Sequence, residues 1–335
     1  MRVLVTGGAG FIGSAVLPVL MGQGHDTLSL DLVAGGNDGD KVVADVRDAA
    51  AVEAALAGVD AVVHLAAKVG VEQGLADAPE YVSHNDLGTA VLLSCMARIG
   101  VRRLVLAASM VAYGEGLGRC RDHGAVRPGA RRENDLAAAR FEPPCPVCGA
   151  ALSPELVGEE TPVDPRSVYA TTKVSQEHLS AAWARQGGGT VAALRFHNVY
   201  GPGLPVNTPY AGVAAIFRSE VLAGRPPQVT EDGGQRRDFV HVRDVARACA
   251  AALESDAVAA ASLRAYNIGS GRPRTVLDLA TALAAAGGGP PPVVTGQARL
   301  ADVRHITASS ERAAAELGWR AREDFTTSMT ELLAP

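Results

Sequence analysis

Apolar residues along this chain fall into two alternating rhythms. Short β-branched runs occupy residues 2–5, 26–30, 41–44, 61–64, 103–107 and 191–195. Between them, at 12–21, 49–57, 85–98 and 168–186, apolar side chains recur every three or four positions in Ala/Leu-rich stretches. The first rhythm predicts strands and the second amphipathic helices. Strands and helices alternating at this spacing predict an α/β fold, a doubly wound parallel sheet covered by helices on both faces, with a ligand crevice at the carboxyl ends of the strands.

Two stretches break the rhythm. From Glu115 to Asp164 the periodicity gives way to Gly, Pro and Arg, and an insertion is placed at 115–160; a structureless loop that long needs its own staple or function. Residues 201–237 are again rich in Pro and Gly, and they predict a departure from the sheet. A helix at 241–253 and a strand at 266–269 then return to it. The predicted division is therefore a sheet domain at 1–198 and 239–269, with a smaller C-terminal lobe at 199–238 and 270–335.

With 335 residues, 47% of them apolar, the chain can bury one large core and a second smaller one. A net charge of −5 offers no basic surface for nucleic acid or an anionic membrane. The apolar start runs within a few residues into Thr6-Gly7-Gly8, too soon for a signal peptide, and no apolar run is long enough to span a bilayer. Five cysteines, an odd number, are expected to be reduced thiols in a cytoplasmic protein.

The first strand leads directly into Gly7-Gly8-Ala9-Gly10-Phe11-Ile12-Gly13, which opens a helix. Gly7, Gly10 and Gly13 allow a tight turn, close approach of backbone to a pyrophosphate, and close helix–strand packing. The helix N-terminus then faces the anion with free N–H groups and the positive end of its dipole. Asp31, ending the second strand, is placed to accept the adenosine ribose hydroxyls and to repel a 2′-phosphate, so the expected cofactor is NAD on a Rossmann fold. Asp45, after the third strand, is a second contact with the adenine end or a helix cap.

Tyr169 and Lys173 stand four residues apart, on one face of a helix. A free phenol is a poor base at neutral pH; a nearby ammonium and a positive nicotinamide ring favour the phenolate. Tyr169 is then able to take a proton from a hydroxyl as hydride leaves the same carbon, and Ser109, ending the fifth strand, is placed to bond the same oxygen.

Cys120-Arg121-Asp122-His123 and Cys145-Pro146-Val147-Cys148-Gly149 supply two pairs of metal-ligand type. Their spacing predicts a tetrahedral structural zinc site, ligated by Cys120, His123, Cys145 and Cys148, in a zinc-ribbon-like insertion. Four protein ligands leave no open position for chemistry. Cys95 and Cys249 fall on apolar helical faces and are read as core. His64 and His197 are read as satisfying local hydrogen bonds, Trp183 as helix packing and Trp319 as a docking residue. Tyr113 either lines a pocket or is simply packed.

Taken together, Thr6–Ser14, His64-Leu65-Ala66-Ala67, Ser109 before Tyr113-Gly114, Tyr169–Lys173, Arg195-Phe196-His197-Asn198-Val199-Tyr200-Gly201-Pro202, Arg237-Asp238-Phe239-Val240-His241-Val242 and Tyr266-Asn267-Ile268-Gly269 strongly resemble the extended short-chain dehydrogenase/reductase superfamily, in particular its nucleotide-sugar epimerases and dehydratases. The resemblance spans nearly the whole chain outside 115–160. It implies that Val46, Leu65, Ala66, Ala67 and Asn85 lie along the cofactor and that Lys173 holds the nicotinamide ribose. It also implies that Ser109 and Met110 meet the sugar, that Asn198 donates to the diphosphate of a nucleotide sugar, and that Arg237 and Arg299 clamp those phosphates. A homodimer through helices 85–98 and 168–186 is implied as well.

Dehydratases and decarboxylases of that family carry an acid shortly after the catalytic Ser/Thr. Here Met110-Val111-Ala112-Tyr113 has none, which favours a 4-epimerase working through a transient 4-keto sugar. The stretches at 208–213 and 231–239 are most similar to dTDP-L-rhamnose 4-epimerases, with UDP-glucose and UDP-glucuronate 4-epimerases close to them. A net 4-ketosugar reductase or dehydrogenase, a 4,6-dehydratase and a non-catalytic NAD sensor are the competing readings.

Overall fold

The computed structural model describes residues 1–35, 39–70, 75–205, 212–300 and 302–334. Seven strands, β1 (Arg2–Thr6), β2 (Asp26–Asp31), β3 (Asp40–Val43), β4 (Ala61–His64), β5 (Arg103–Ser109), β6 (Thr190–Phe196) and β7 (Ser262–Ile268), form the main sheet. Every pairing in it is parallel, in the order β7-β6-β5-β4-β1-β2-β3. The order reverses between β1 and β4, so the carboxyl ends of these two strands bound the crevice where a doubly wound sheet takes its ligand.

Residues along each strand alternate between the two faces. Val3 and Val5 of β1 pack with helix α1 (Phe11–Gly22), while Leu4 between them joins the opposite core with α2 (Ala49–Ala55) and α3 (Gly88–Ile99). Helices α4 (Val168–Gly187) and α5 (Val242–Glu254) complete the two layers. Cys95 lies in one core and Cys249 in the other, as their apolar settings predict. Each fully buried Val or Leu contributes about 1.5–3 kcal/mol of transfer free energy, so it is the alternation itself that holds the three layers together.

A second core gathers Tyr200, Phe217, Phe239, Leu279, Leu283 and Met329 around helices Val213–Leu222, Val276–Ala286 and Phe325–Leu333. The lobe is not continuous after residue 270. The helix Glu311–Leu317 and Trp319 rejoin the α1–α5 face of the sheet, where the Trp319 indole donates to the Asp244 carbonyl of α5 at 2.9 Å. The insertion has its own small antiparallel sheet, Gly124–Val126 beside Leu117–Cys120 beside Ser153–Glu155, and a short helix, Glu133–Ala137.

Candidate active site and metal centre

Gly7 adopts φ +74°, a left-handed turn that a side chain resists, and a Cβ there would come within 2.7 Å of the Ala66 amide nitrogen. A Cβ on Gly13 would approach the Gly7 carbonyl to 2.2 Å, which fixes the tight contact between helix and loop. Gly10 is exposed and caps α1 without any side-chain bond, leaving Phe11 and Ile12 in the open first turn of the helix. An uncapped helix start at the end of β1 fits a pyrophosphate. Asp31 ends β2, and its Oδ2 accepts the Ala9 amide at 3.0 Å, so the expected ribose ligand also braces the glycine loop.

Leu65, Ala66 and Ala67 follow β4 and form the opposite wall, half-buried. Two residues expected along the cofactor are also held by neighbouring side chains and backbone. Asn85 is fully buried; its amide donates to the Lys68 carbonyl (3.0 Å) and the Thr172 hydroxyl (2.9 Å) and accepts the Lys68 amide (2.7 Å). It lies in a wide turn, Val82–Leu87, that precedes α3 where a regular helix was expected. Asp45 is gripped by Arg47, which holds its carboxyl down to about 2, and the cap of α2 is Asp48. Val46 is buried against Gly88. His64 bonds Thr6 (2.6 Å) and Thr89 (3.0 Å), as predicted for a local structural role.

Ser109 ends β5 and Ser167 caps α4, bringing Tyr169 in the first turn of α4 to the Ser109 hydroxyl, to which its phenol is hydrogen-bonded. One turn on, the Lys173 ammonium donates to the Ala107 carbonyl at 3.0 Å and lies 6.0 Å from the centre of the Tyr169 ring. Burial pushes the phenol up to about 12, against the Ser109 bond. Burial also pulls Lys173 down to about 8, against Glu177 and Asp86. Desolvation, which disfavours the charged phenolate, is thus the largest influence on Tyr169.

Tyr113 is packed rather than open to the pocket. Its hydroxyl donates to Asn267 (2.7 Å) and accepts from Arg195 (2.8 Å), which in turn forks onto Glu177 at 2.9 and 2.7 Å. Met110 packs beside it. Just beyond β6, both ring nitrogens of His197 and the Asn198 Oδ1 are buried with no hydrogen-bond partner among the described residues, contrary to the expectation for His197. Orphaned polar atoms at a strand's carboxyl end are where a ligand's polar groups find a match.

Arg237 hangs from three main-chain carbonyls: those of Arg236 (2.9 Å), Arg304 (3.0 Å) and Val303 (2.6 Å). Arg299 does not share its environment. Its side chain is 69% exposed and pairs with Asp302 at 3.2 Å. The guanidinium that acts on Arg237 is Arg131, from the insertion; nothing but its place in an Arg-rich run (Arg127, Arg131, Arg132) marks it in the sequence. Thr208–Ala211 of the stretch compared with dTDP-L-rhamnose 4-epimerases lie outside the described residues.

In the insertion, donor atoms of Cys120, His123, Cys145 and Cys148 all lie within 4.8 Å of one another. Cys120 Sγ is 3.4 Å from His123 Nδ1 and 3.6 Å from Cys148 Sγ. Sulfurs about 2.3 Å from a tetrahedral ion stand at such separations. Main-chain N–H groups of Asp122 and His123 face the Cys120 sulfur, and those of Cys148 and Val147 face Cys145. The donor set thus fits zinc, with no fifth position free.

Residues 3–134 and 145–269 match the model of the NAD dependent epimerase/dehydratase family. The chain is 35% identical to the dTDP-L-rhamnose 4-epimerase of Burkholderia thailandensis, covering 99% of this chain and 93% of that protein. It is 29% identical to the UDP-glucose 4-epimerase of Corynebacterium glutamicum, over 95% and 90% of the two chains. Among solved structures, UDP-glucose 4-epimerase of Thermus thermophilus in complex with NAD superposes with a TM-score of 0.77 at 30% identity, over 99% of this chain and 98% of the other. That of Thermotoga maritima with UDP-glucose gives 0.80 at 27%, over 99% and 97%. With both pieces of the family model aligned across the sheet, its glycine loop and its Ser–Tyr–Lys wall, the chain belongs to the NAD dependent epimerase/dehydratase family.

Proposed function

We propose that this chain is an NAD-dependent nucleotide-sugar 4-epimerase, acting on a dTDP-6-deoxyhexose or a UDP-hexose or uronate through a transient 4-keto sugar. The observation that carries this reading is the Ser109–Tyr169 hydrogen bond with Lys173 one helical turn on, at the carboxyl end of the same sheet that carries the glycine loop. Gly7, Gly10, Phe11, Ile12 and Gly13 hold the pyrophosphate of NAD, Asp31 the adenosine ribose, and Leu65, Ala66 and Ala67 line its path. Bound NAD supplies reversible hydride acceptance at the sugar carbon. Tyr169 takes the C4 hydroxyl proton and later returns it, Ser109 bonds the same oxygen, and Lys173 keeps positive charge beside the phenol. Asn198 and Arg237 receive the diphosphate, with Met110 against the sugar.

Purified protein is incubated with dTDP-L-rhamnose or UDP-glucose without added NAD, and C4 inversion is followed by NMR. Turnover of either supports the proposal; no turnover of any C4-hydroxyl nucleotide sugar by NAD-loaded protein refutes it. Tyr169→Phe abolishes turnover and leaves bound NAD unchanged.

The Cys120–His123–Cys145–Cys148 set holds a structural zinc, which orders a Pro/Gly-rich segment with few apolar residues of its own. Close to one zinc per chain is expected from a metal assay, and less than about 0.2 defeats the assignment (a rough threshold for an occupied structural site). Two copies pair through α3 and α4, with apolar surface exposed by Leu87 just before α3 and by Ile99 at its end; a monomeric mass at micromolar concentration contradicts that pairing. Among the described residues no helix is long and apolar enough to cross a membrane.

A further inference from the structure

Two charged side chains reach from the insertion into the smaller lobe. Arg131, 2% exposed, donates to Glu231 at 2.6 Å and to the Asp302 carbonyl at 3.1 Å. Its Nη2 is buried without a hydrogen-bond partner among the described residues. Glu142 lies three residues before Cys145. It accepts from Arg304 at 3.0 and 2.5 Å with one oxygen, and meets His305 Nε2 at 2.7 Å with the other. Both therefore hold the segment 302–305. The carbonyls of Val303 and Arg304 in that segment are two of the three from which Arg237 hangs.

Apolar packing joins the insertion to the lobe at Leu117 and Val157, which cluster with Val303 and Ile306, and the rest of the insertion has little more. Its own buried cluster consists of Cys120, Cys145 and Leu152, with Val126 packed against it. Two of its three buried members are metal-ligand cysteines, so order in this segment depends on the four-donor site. The lobe side is different, since Arg304 is also held by Glu231 (2.8 Å) and Asp232 (2.7 Å). The segment 302–305 is thus anchored in the lobe and trimmed from the insertion.

We infer that Arg131 and Glu142 are positioning residues for Arg237, and that metal bound at Cys120, His123, Cys145 and Cys148 sets the affinity of this lobe for a nucleoside diphosphate. The inference rests on the nucleotide-sugar reading above. A guanidinium fork recognises phosphate only when its plane is fixed, and here the fixing carbonyls belong to a segment steered by a stapled insertion. The glycine loop lies outside this chain of contacts.

The test measures calorimetric Kd for UDP, dTDP and the corresponding free nucleosides. The proteins are zinc-replete wild type, Arg131→Met, Arg131→Lys, Glu142→Gln, and wild type stripped by a chelator and then reloaded with zinc. Arg131→Met, Glu142→Gln and the stripped protein are expected to bind the diphosphates about tenfold more weakly. Nucleoside affinity and bound NAD of the variants stay near wild type. KM for the nucleotide sugar rises by the same factor while kcat stays within about twofold, a split that marks lost ground-state binding. Arg131→Lys and reloaded zinc recover most of the affinity. Unchanged diphosphate affinity in both variants and the stripped protein overturns the inference, as does an equal loss for nucleosides, which indicates general disruption of the lobe. If zinc-replete wild type binds neither diphosphate, the nucleotide-sugar reading itself fails, and this inference with it.

Discussion

Replacing Lys173 with Met isolates the electrostatic part of the proposed chemistry. The ammonium lies 6.0 Å from the centre of the Tyr169 ring. At an effective dielectric near 20, two unit charges at that distance interact by about 3 kcal/mol, or about two pKa units. Loss of a cation disfavours the phenolate, so the group that must be ionised for proton removal titrates about two units higher in the variant. Lys173 itself keeps its charge only below about pH 8, so the comparison belongs between pH 6 and 8. There kcat of Lys173→Met at saturating nucleotide sugar is expected to fall about 100-fold, with the acid limb of its pH profile displaced upward by about two units. Bound NAD is quantified in the same samples, so that lost occupancy is not mistaken for lost charge. The ammonium also donates to the Ala107 carbonyl, and a urea titration reports that structural cost separately. A variant with full NAD content, reduced kcat and an undisplaced acid limb would falsify the electrostatic role and leave Lys173 as a spacer.

Three further outcomes follow from buried groups. Arg195→Met leaves Glu177 charged, buried and unpaired and is expected to cost about 3–5 kcal/mol in urea unfolding; Glu177→Leu with Arg195→Met recovers much of it, and a double variant as unstable as the sum of the singles defeats the pairing argument. Burial pulls His64 and His197 down to about 3. Below about pH 6.5 the unfolded chain therefore binds protons that the fold refuses, and stability falls with pH, partly offset by Glu115, Asp86 and Asp238, which burial raises. His197→Phe removes about 2 kcal/mol of the loss between pH 6.5 and 5, and equal pH dependence of wild type and variant counts against a buried neutral ring. Gly13→Ala forces a methyl against the Gly7 carbonyl and is expected to lower both melting temperature and NAD content; a variant with undiminished NAD refutes the tight-turn argument.

What was legible in the sequence is what local periodicity encodes. Leu4 between Val3 and Val5, and the glycines at 7, 10 and 13 directly after them, specify strand, turn and helix within a dozen residues, and the structure follows. The paired spacings around Cys120 and Cys145 are local in the same way, and their ligand atoms converge. The contacts that the sequence does not show are those whose partners are remote in the chain. Asn85 takes up Lys68 and Thr172, Trp319 takes up Asp244, and Arg131 takes up Glu231 and Asp302. No window around any of these residues contains its partner. At Tyr169 the spacing to Lys173 reports proximity of charge and says nothing of the desolvation that raises the phenol.

The same distinction bears on which reaction the cleft can run. Removing water from the sugar requires a second acid–base group besides the phenol, and residues 110–113 carry no carboxyl. The next acid along the chain, Glu115, is buried and its carboxyl raised by that burial; it accepts the Arg304 amide at 3.4 Å and is drawn back down by Arg131, Arg166 and Arg237. It is committed to the arginines that order the lobe. Ser109 and Tyr169 remain as one proton relay on one oxygen, and one relay operated in both directions returns the sugar at the oxidation level at which it arrived. Inversion at the carbon bearing that oxygen is the net change such a site can leave behind, provided the keto sugar turns before hydride returns.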